Sequence, residues 1–212
     1  MTLRTLTKPI FWAPWFAVAI ISYFFVDRTL TSFAHNLDIS HPWLISISSE
    51  ISLLGNSAIY LIAGSLFFLW AILIAKNKQL AWMAAYLLLA VIVSGVICDV
   101  AKCLVGRARP SELFLHNQYG FYLWQFHNSF WSCPSGHSTT IAAVVTSCYL
   151  LFSRLFWPLL CVLVLVGVSR ILVQAHYLSD VMTGAYLGFI TAFWLHYLLA
   201  LAGSFKAIPE PG

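Results

Sequence analysis

Charge is what this sequence has least of. Only 8% of its 212 residues are Asp, Glu, Lys or Arg, whereas 61% are hydrophobic and the mean hydropathy is +0.86. A soluble domain of this length needs far more polar surface, so the composition places the chain in a membrane. Its five cysteines (Cys98, Cys103, Cys133, Cys148 and Cys161) form no Cys-x-x-Cys pair and no Cys/His metal spacing. A metal site is therefore not expected. There is no internal repeat and no low-complexity tract, and the turns at 76–79 and 153–155 are too short to separate domains. The net charge of +4 comes from scattered basic residues with no basic helix face, so nucleic acid is not an expected partner.

What the chain does have is apolar runs long enough to cross a hydrocarbon core. Six runs of roughly 17 to 21 residues lie at 9–25, 58–75, 80–100, 137–152, 156–173 and 181–201. The predicted fold is all-α: one polytopic domain over 1–212 with about six transmembrane helices in a single bundle. No A-x-A-like cleavage site follows the first run, and Arg4 and Lys8 precede it, so it reads as an uncleaved signal anchor. With a cytoplasmic N-terminus, that side holds Arg4, Lys8, Lys76, Lys78, Arg154 and Lys206. The other side holds Arg28 and Arg107, once Lys102, Arg109 and Arg170 are set aside. This positive-inside pattern puts the polar segments described next at the outer ends of the helices. Two outer connections are long. In 27–57, the stretch 42–54 has partly helical apolar spacing that suggests an interfacial helix. In 101–134, the stretch 113–131 is rich in aromatics that settle at headgroup depth. Both read either as membrane anchors or as a lipid entrance.

Three short polar segments interrupt this apolar sequence: KCLVGRARP at 102–110, PSGH at 134–137 and SRILVQAHYLSD at 169–180. Arg109 precedes a proline, which biases it away from helix, so the third run should end in a loop where Lys102 and Arg109 converge on one anion. Lys102 taken alone also reads as an interfacial snorkeller, with Asp99 as its helical ion-pair partner, and Arg107 reads only as a snorkeller. PSGH is a tight turn opening a helix, where exposed N–H groups and the helix dipole favour an anion. Ser135 adds a hydroxyl, Gly136 an N–H open to close approach, and His137 stands beside them, although a plain cap and turn needs the same residues. His176 and Asp180 are four apart, so on a helix the carboxylate can hold one imidazole nitrogen and leave the other free as a nucleophile. Arg170 supplies a planar fork for phosphate oxygens; its alternative is a structural ion pair with Asp180. Cys103 and Cys133 flank segments that must meet, which makes them the pair to test for a disulfide.

In order and spacing the three segments match K-x6-R-P, P-S-G-H and S-R-x5-H-x3-D. The chain thereby resembles the type 2 phosphatidic acid phosphatase and vanadium haloperoxidase superfamily, in particular its integral-membrane lipid phosphatases. The motifs cover 102–180, and the six-run layout extends the likeness to nearly the whole chain. The resemblance implies a metal-independent phosphatase that needs no cofactor and works at the periplasmic face of a bacterial inner membrane. His176 would attack phosphorus, Asp180 would hold it, and His137 would protonate the leaving group and later activate water. Lys102, Arg109, Ser135, Gly136 and Arg170 would bind the phosphoryl oxygens. Expected substrates are a phospholipid, an isoprenyl pyrophosphate or a lipid A phosphate, with no obligate protein partner. The alternatives are lipid-to-acceptor phosphotransfer and a non-catalytic lipid-binding or transport protein. His35, His41, His116 and His127 read as loop residues, and His196 as a helix-packing residue.

Overall fold

A computed structural model describes residues 9–202, all helix and connecting loop, with one isolated bridge between Arg107 and Phe121 as the sole β pairing among them. Helix α1 (Pro9–Ile21) runs through a π-helical turn (Ser22–Val26) into α2 (Asp27–Ser40). Then come α3 (Pro42–Ser52), a 3-10 turn (Leu53–Gly55), α4 (Ser57–Leu73) and α5 (Lys78–Val105). The short α6 (Pro110–His116) leads through an irregular segment to α7 (Gly136–Leu151), α8 (Phe156–Leu172) and α9 (Leu178–Leu201). Helices α1, α4, α5, α7, α8 and α9 coincide with the six apolar runs, and the all-α membrane fold stands. Arg4, Lys8 and Lys206, three of the charges used to orient it, lie outside the described residues.

Local signals explain the boundaries. Asn56 caps α4 by accepting from Ala58 N at 3.0 Å, and Asn77 caps α5 by accepting from Gln79 N and Leu80 N at 3.0 and 3.2 Å; each satisfies donors that a helix start leaves without an internal acceptor. Helix α5 stops at Gly106, whose φ of 57° is left-handed, a conformation glycine takes at little cost. Pro110 then opens α6 after an extended Arg109.

Segments 13–40, 78–105 and 178–201 are each long and apolar enough to span a bilayer, and Pro42–Gly55 with Ser57–Leu73 qualifies as a pair bent by 41°. Helix α8 is apolar but shorter. Helix α7 differs in kind. Its residues from Ser138 to Ser147 are all buried, including Thr139, Thr140 and Thr146, so the fourth apolar run is a core helix sheathed by the others. Lipid is as apolar as leucine, so what draws helices together in a membrane is close packing and hydrogen bonding. Gly184 and Gly188 supply that on α9: a Cβ at either would collide with the backbone oxygen of Ser135 or Thr139 on α7. Lower down, Tyr86 packs with Ala90, Ala143 and Ala192 and donates to Ala192 O at 2.9 Å. A side chain at Gly184 or at Gly188 would force these helices apart.

Helix α3 does more than lie along the interface, because it packs against α8 and delivers Ser52 to Arg170. The aromatic segment folds back over the end of α5. Tyr122 N, Trp124 N and Gln125 N donate to the carbonyls of Gly106, Leu104 and Cys103 at 2.9, 3.1 and 3.0 Å, leaving Leu123, Trp124 and Phe126 exposed.

Candidate active site

The three polar segments meet at one end of the bundle, where α5 and α8 end and α7 and α9 begin. Ser135 is the cap of α7: it is buried and accepts from Ser138 N and Ser138 Oγ at 3.5 and 3.0 Å. By position, the N–H groups of Gly136 and His137 have no acceptor within the helix. Lys102 reaches this point from α5, since a Cβ on Gly136 would lie 3.1 Å from its ammonium nitrogen. Arg109 is held by Asn128, to whose carbonyl Nε donates and to whose Oδ1 Nη2 donates, both at 2.9 Å. Arg170 donates from Nη1 to Ser52 Oγ at 2.7 Å, while its buried Nε has no acceptor among the described residues. Lys102, Arg109 and Arg170 all lie within electrostatic reach of both His137 and His176. Among the described residues none of the three forms an ion pair with a buried carboxylate. Lys102 pairs with Asp99 at 2.9 Å, and that carboxylate is 73% exposed. Cations arranged this way, beside a helix N-terminus, are complementary to a phosphoryl group.

His176 sits in the turn before α9, buried, with Nδ1 2.7 Å from the carbonyl oxygen of Ser132. A carbonyl only accepts, so Nδ1 carries the proton and Nε2 is left as a lone pair. Burial first, then the charges of Arg109 and Arg170, hold this imidazole well below the ordinary histidine range, with the Ser132 carbonyl opposing. At physiological pH it is therefore neutral, with the Nε2 lone pair unprotonated.

Asp180 does not touch His176 in the way their spacing suggests. Helix α9 begins only at Leu178, so His176 precedes the helix and the two residues do not share a face. The carboxylate instead closes a capping box, accepting from Tyr177 N at 2.9 Å, and accepts from Ser132 Oγ at 2.6 Å. Ser132 thus bridges the pair, its hydroxyl on Asp180 and its carbonyl on His176. The remaining partner of Asp180 is Arg107 rather than Arg170.

Arg107 is the largest departure from the sequence reading. Instead of snorkelling, it is 1% exposed and lies between two buried carboxylates, Asp180 and Asp27, with Nη2 2.7 Å from Asp27. Burial by itself would lower its pKa, but the charges of Asp180 and Asp27 outweigh that and raise it. The rings of Tyr23, Tyr119, Phe121 and Tyr177 enclose its guanidinium at 4.4 to 5.5 Å.

This constellation agrees with what the sequence matches. Residues 83–203 match the PAP2 superfamily over more than half of the chain. The chain belongs to the PAP2 superfamily. It is 33% identical over 141 residues to a lipid A 1-phosphatase of Rhizobium johnstonii, an alignment covering 64% of this chain and 56% of that protein. It is 36% identical over 114 residues to a lipid A 1-phosphatase of Rhizobium etli, covering 54% and 49%. The chain thus spans about half the length of the curated relatives it matches. Its fold resembles that of a transmembrane PAP2 type phosphatidylglycerolphosphate phosphatase from Bacillus subtilis, with a TM-score of 0.68 and 23% identity over 94% of this chain and 98% of that one. It also resembles Aquifex aeolicus LpxE, with a TM-score of 0.60 and 20% identity over 81% and 95%.

Within this PAP2 fold, Ser52, Asn128 and Ser132 hold site residues that motif reasoning had singled out, yet none of the three carries a sequence signal of its own. Asp27 had one: an acidic residue at the edge of an apolar run. Three of the other histidines have partners of their own. His35 is on α2 rather than in a loop, bonded to Gln174 at 2.9 Å and stacked on Phe114, and His116 pairs with Glu112 at 2.8 Å. His196 packs edge-on against Tyr86. Cys103 and Cys133 are free thiols. Among the described residues no group of three or more His, Cys, Asp and Glu is placed to hold a metal ion.

Proposed function

We propose that this chain is a lipid phosphatase that removes the 1-phosphate of lipid A through a phosphohistidine on His176. The observation that carries the reading is the meeting of Lys102, Arg109 and Arg170 around two histidines at one end of an apolar bundle. A soluble phosphate would not require so apolar a frame, and a non-catalytic binder would not require a buried imidazole stripped of its proton at Nε2. The curated relatives of known name act on the 1-phosphate of lipid A, which supports that substrate over the other phosphorylated lipids.

In the first step Nε2 of His176 attacks phosphorus in line. The N–P bond forms, the P–O bond to the lipid breaks, and the departing oxygen takes a proton from His137. Burial and then the charges of Arg170, Lys102 and Arg109 hold this imidazole below the ordinary histidine range until the phosphoryl group offsets those cations. In the second step water attacks phosphorus and gives its proton to His137; the P–N bond breaks and inorganic phosphate leaves. Lys102, Arg109 and Arg170 balance charge on the equatorial oxygens, and Ser135 and the Gly136 N–H donate to them. Asp180 acts on His176 through Ser132, whose position it fixes. With cations already facing the phosphoryl oxygens, the reaction has no step that requires a divalent metal.

The site is proposed to face the periplasm from the inner membrane, since Lys76, Lys78 and Arg154 lie at the opposite end of the bundle. Phosphate release in detergent, measured on lipid A, phosphatidylglycerophosphate, phosphatidic acid and undecaprenyl pyrophosphate with His176→Ala as blank, tests the reading. Lipid A should be hydrolysed fastest, EDTA should leave the rate unchanged and vanadate should inhibit. Release from none of them, or an absolute need for a divalent ion, would refute it. In a cysteine-free background, a membrane-impermeant maleimide should label a cysteine at Gln118 and spare one at Asn77 in spheroplasts.

A further inference from the structure

Behind the nucleophile, one guanidinium serves two carboxylates. Arg107 spends Nη1 on Asp180 and Nη2 on Asp27, and all three side chains are buried. Hydrogen bonds satisfy each carboxylate further. Asp27 accepts from Ser22 Oγ at 2.8 Å, from Ser179 N at 3.1 Å and from Ser179 Oγ, and Asp180 accepts from Ser132 Oγ and Tyr177 N. Ser179 joins the two halves, because its hydroxyl donates to Asp27 and accepts from Arg107 Nη1 at 2.6 Å. The set of three carries one net negative charge, and its outlet toward the reaction is Ser132, whose carbonyl holds Nδ1–H of His176.

That excess charge matters because phosphorylation at Nε2, with Nδ1 still protonated, makes the imidazole ring a cation. An Arg107–Asp180 pair alone would be neutral and would offer that cation nothing. Burying a second carboxylate is expensive unless it has a function or excellent pairing, and this one is drawn from a helix far from the three motif segments. The π-helical turn at Ser22–Val26 ends at Asp27 and brings both Ser22 and Asp27 to the site; such turns often mark functional positions.

We infer that Asp27 is a positioning residue for His176: it neutralises Arg107 so that the charge of Asp180 remains to support, through Ser132, the imidazole that becomes phosphorylated. This rests on the phosphohistidine reading above. It assigns to α1 and α2, which none of the motifs reaches, a share in the chemistry.

The test is rapid-quench single turnover with 32P-labelled lipid A in detergent. A rate constant does not depend on what fraction of the enzyme is active, whereas the amplitude does. Asp27→Asn keeps the shape and removes the charge, and should slow phosphoenzyme formation about 10- to 100-fold with KM little changed, the scale on which displacement of a supporting group acts. Asp27→Glu, which restores the charge, should recover most of the rate. A purely structural Asp27 would instead lower amplitude and thermal midpoint while leaving the rate constant within twofold of wild type, and that result overturns the inference. If Asp27→Asn yields too little folded protein, Ser179→Ala replaces it. It keeps all three charges but removes the hydroxyl they share, and should slow formation about threefold to tenfold; an unchanged rate constant overturns the inference equally. A wild-type enzyme that forms no phosphoenzyme at all would instead sink the phosphohistidine reading, and this inference with it.

Discussion

Arg107 and Arg109 stand two residues apart in one motif and have opposite fates. Arg107 is enclosed by four aromatic rings and neutralised by two buried carboxylates; Arg109 is held in place by a single neutral residue, Asn128. A cation whose charge is already met by the protein is part of the frame. A cation that is only oriented, with its charge left unmet, is prepared for an anion from outside. Arg170, tied to Ser52 with one donor idle, belongs with Arg109.

The strongest way to break this contrast is to truncate each arginine. Arg107→Ala leaves two buried carboxylates without their cation, a loss of about 3–5 kcal/mol, so little folded protein should survive detergent extraction and the thermal midpoint of what does should fall sharply. Arg109→Ala should give normal yield and midpoint but lose about 10²- to 10³-fold in kcat, the scale of one lost charge-stabilising donor. Size-exclusion profiles, melting curves and phosphate release on the same preparations decide it. If Arg109→Ala unfolded while Arg107→Ala stayed folded, the division into frame and ligand cations would be wrong.

A pH profile sharpens the same contrast. Burial first, and then Arg109 and Arg170, lower the His176 pKa, so the neutral imidazole persists as pH falls below the ordinary histidine value of about 6.5. The acidic limb set by this residue should therefore lie below that value. Arg109→Gln removes one of the lowering charges, so its limb should move to higher pH, toward the ordinary range. A limb unmoved or shifted downward would show that Arg109 does not act on His176.

Smaller effects are expected further from the phosphate. Ser132→Ala removes the hydroxyl bond to Asp180 but keeps the carbonyl on His176, and should cost about 1–2 kcal/mol of stability with a several-fold fall in kcat. Replacing the exposed Leu123, Trp124 and Phe126 with Ser should raise KM for long-chain lipid only a few-fold, on the scale of lost interfacial aromatic contact. A short-chain phosphate ester should be spared. Equal loss on both would mark the segment as merely structural.

Much of this site can be read in the sequence because its proposed phosphate ligands occur in short segments whose local geometry is strongly determined. Pro110 and Gly106 end and redirect a helix, and Ser135-Gly136 begins one; those choices place Lys102, Arg109 and His137 wherever the bundle closes. The relation of His176 to Asp180 could not be read in this way, because a spacing of four implies a shared face only inside a helix, and α9 starts two residues after His176. Arg107 was hidden for a different reason. Nothing local distinguishes a snorkelling arginine from one buried between carboxylates, and one of its partners, Asp27, is 80 residues away. Ser52 and Asn128 are likewise ordinary polar residues until tertiary contact gives them arginines to hold. The polar lining of α7 was visible as Ser138, Thr139 and Thr140, yet its apolar average made it look like another lipid-facing span.

The most direct measurement is to identify the phosphorylated atom. Wild-type protein quenched during turnover of 32P-labelled lipid A should carry acid-labile, alkali-stable phosphate on Nε2 of His176, since Nδ1 is committed to the Ser132 carbonyl. His176→Ala should carry none. Label on His137, or at Nδ1 of His176, would contradict the account.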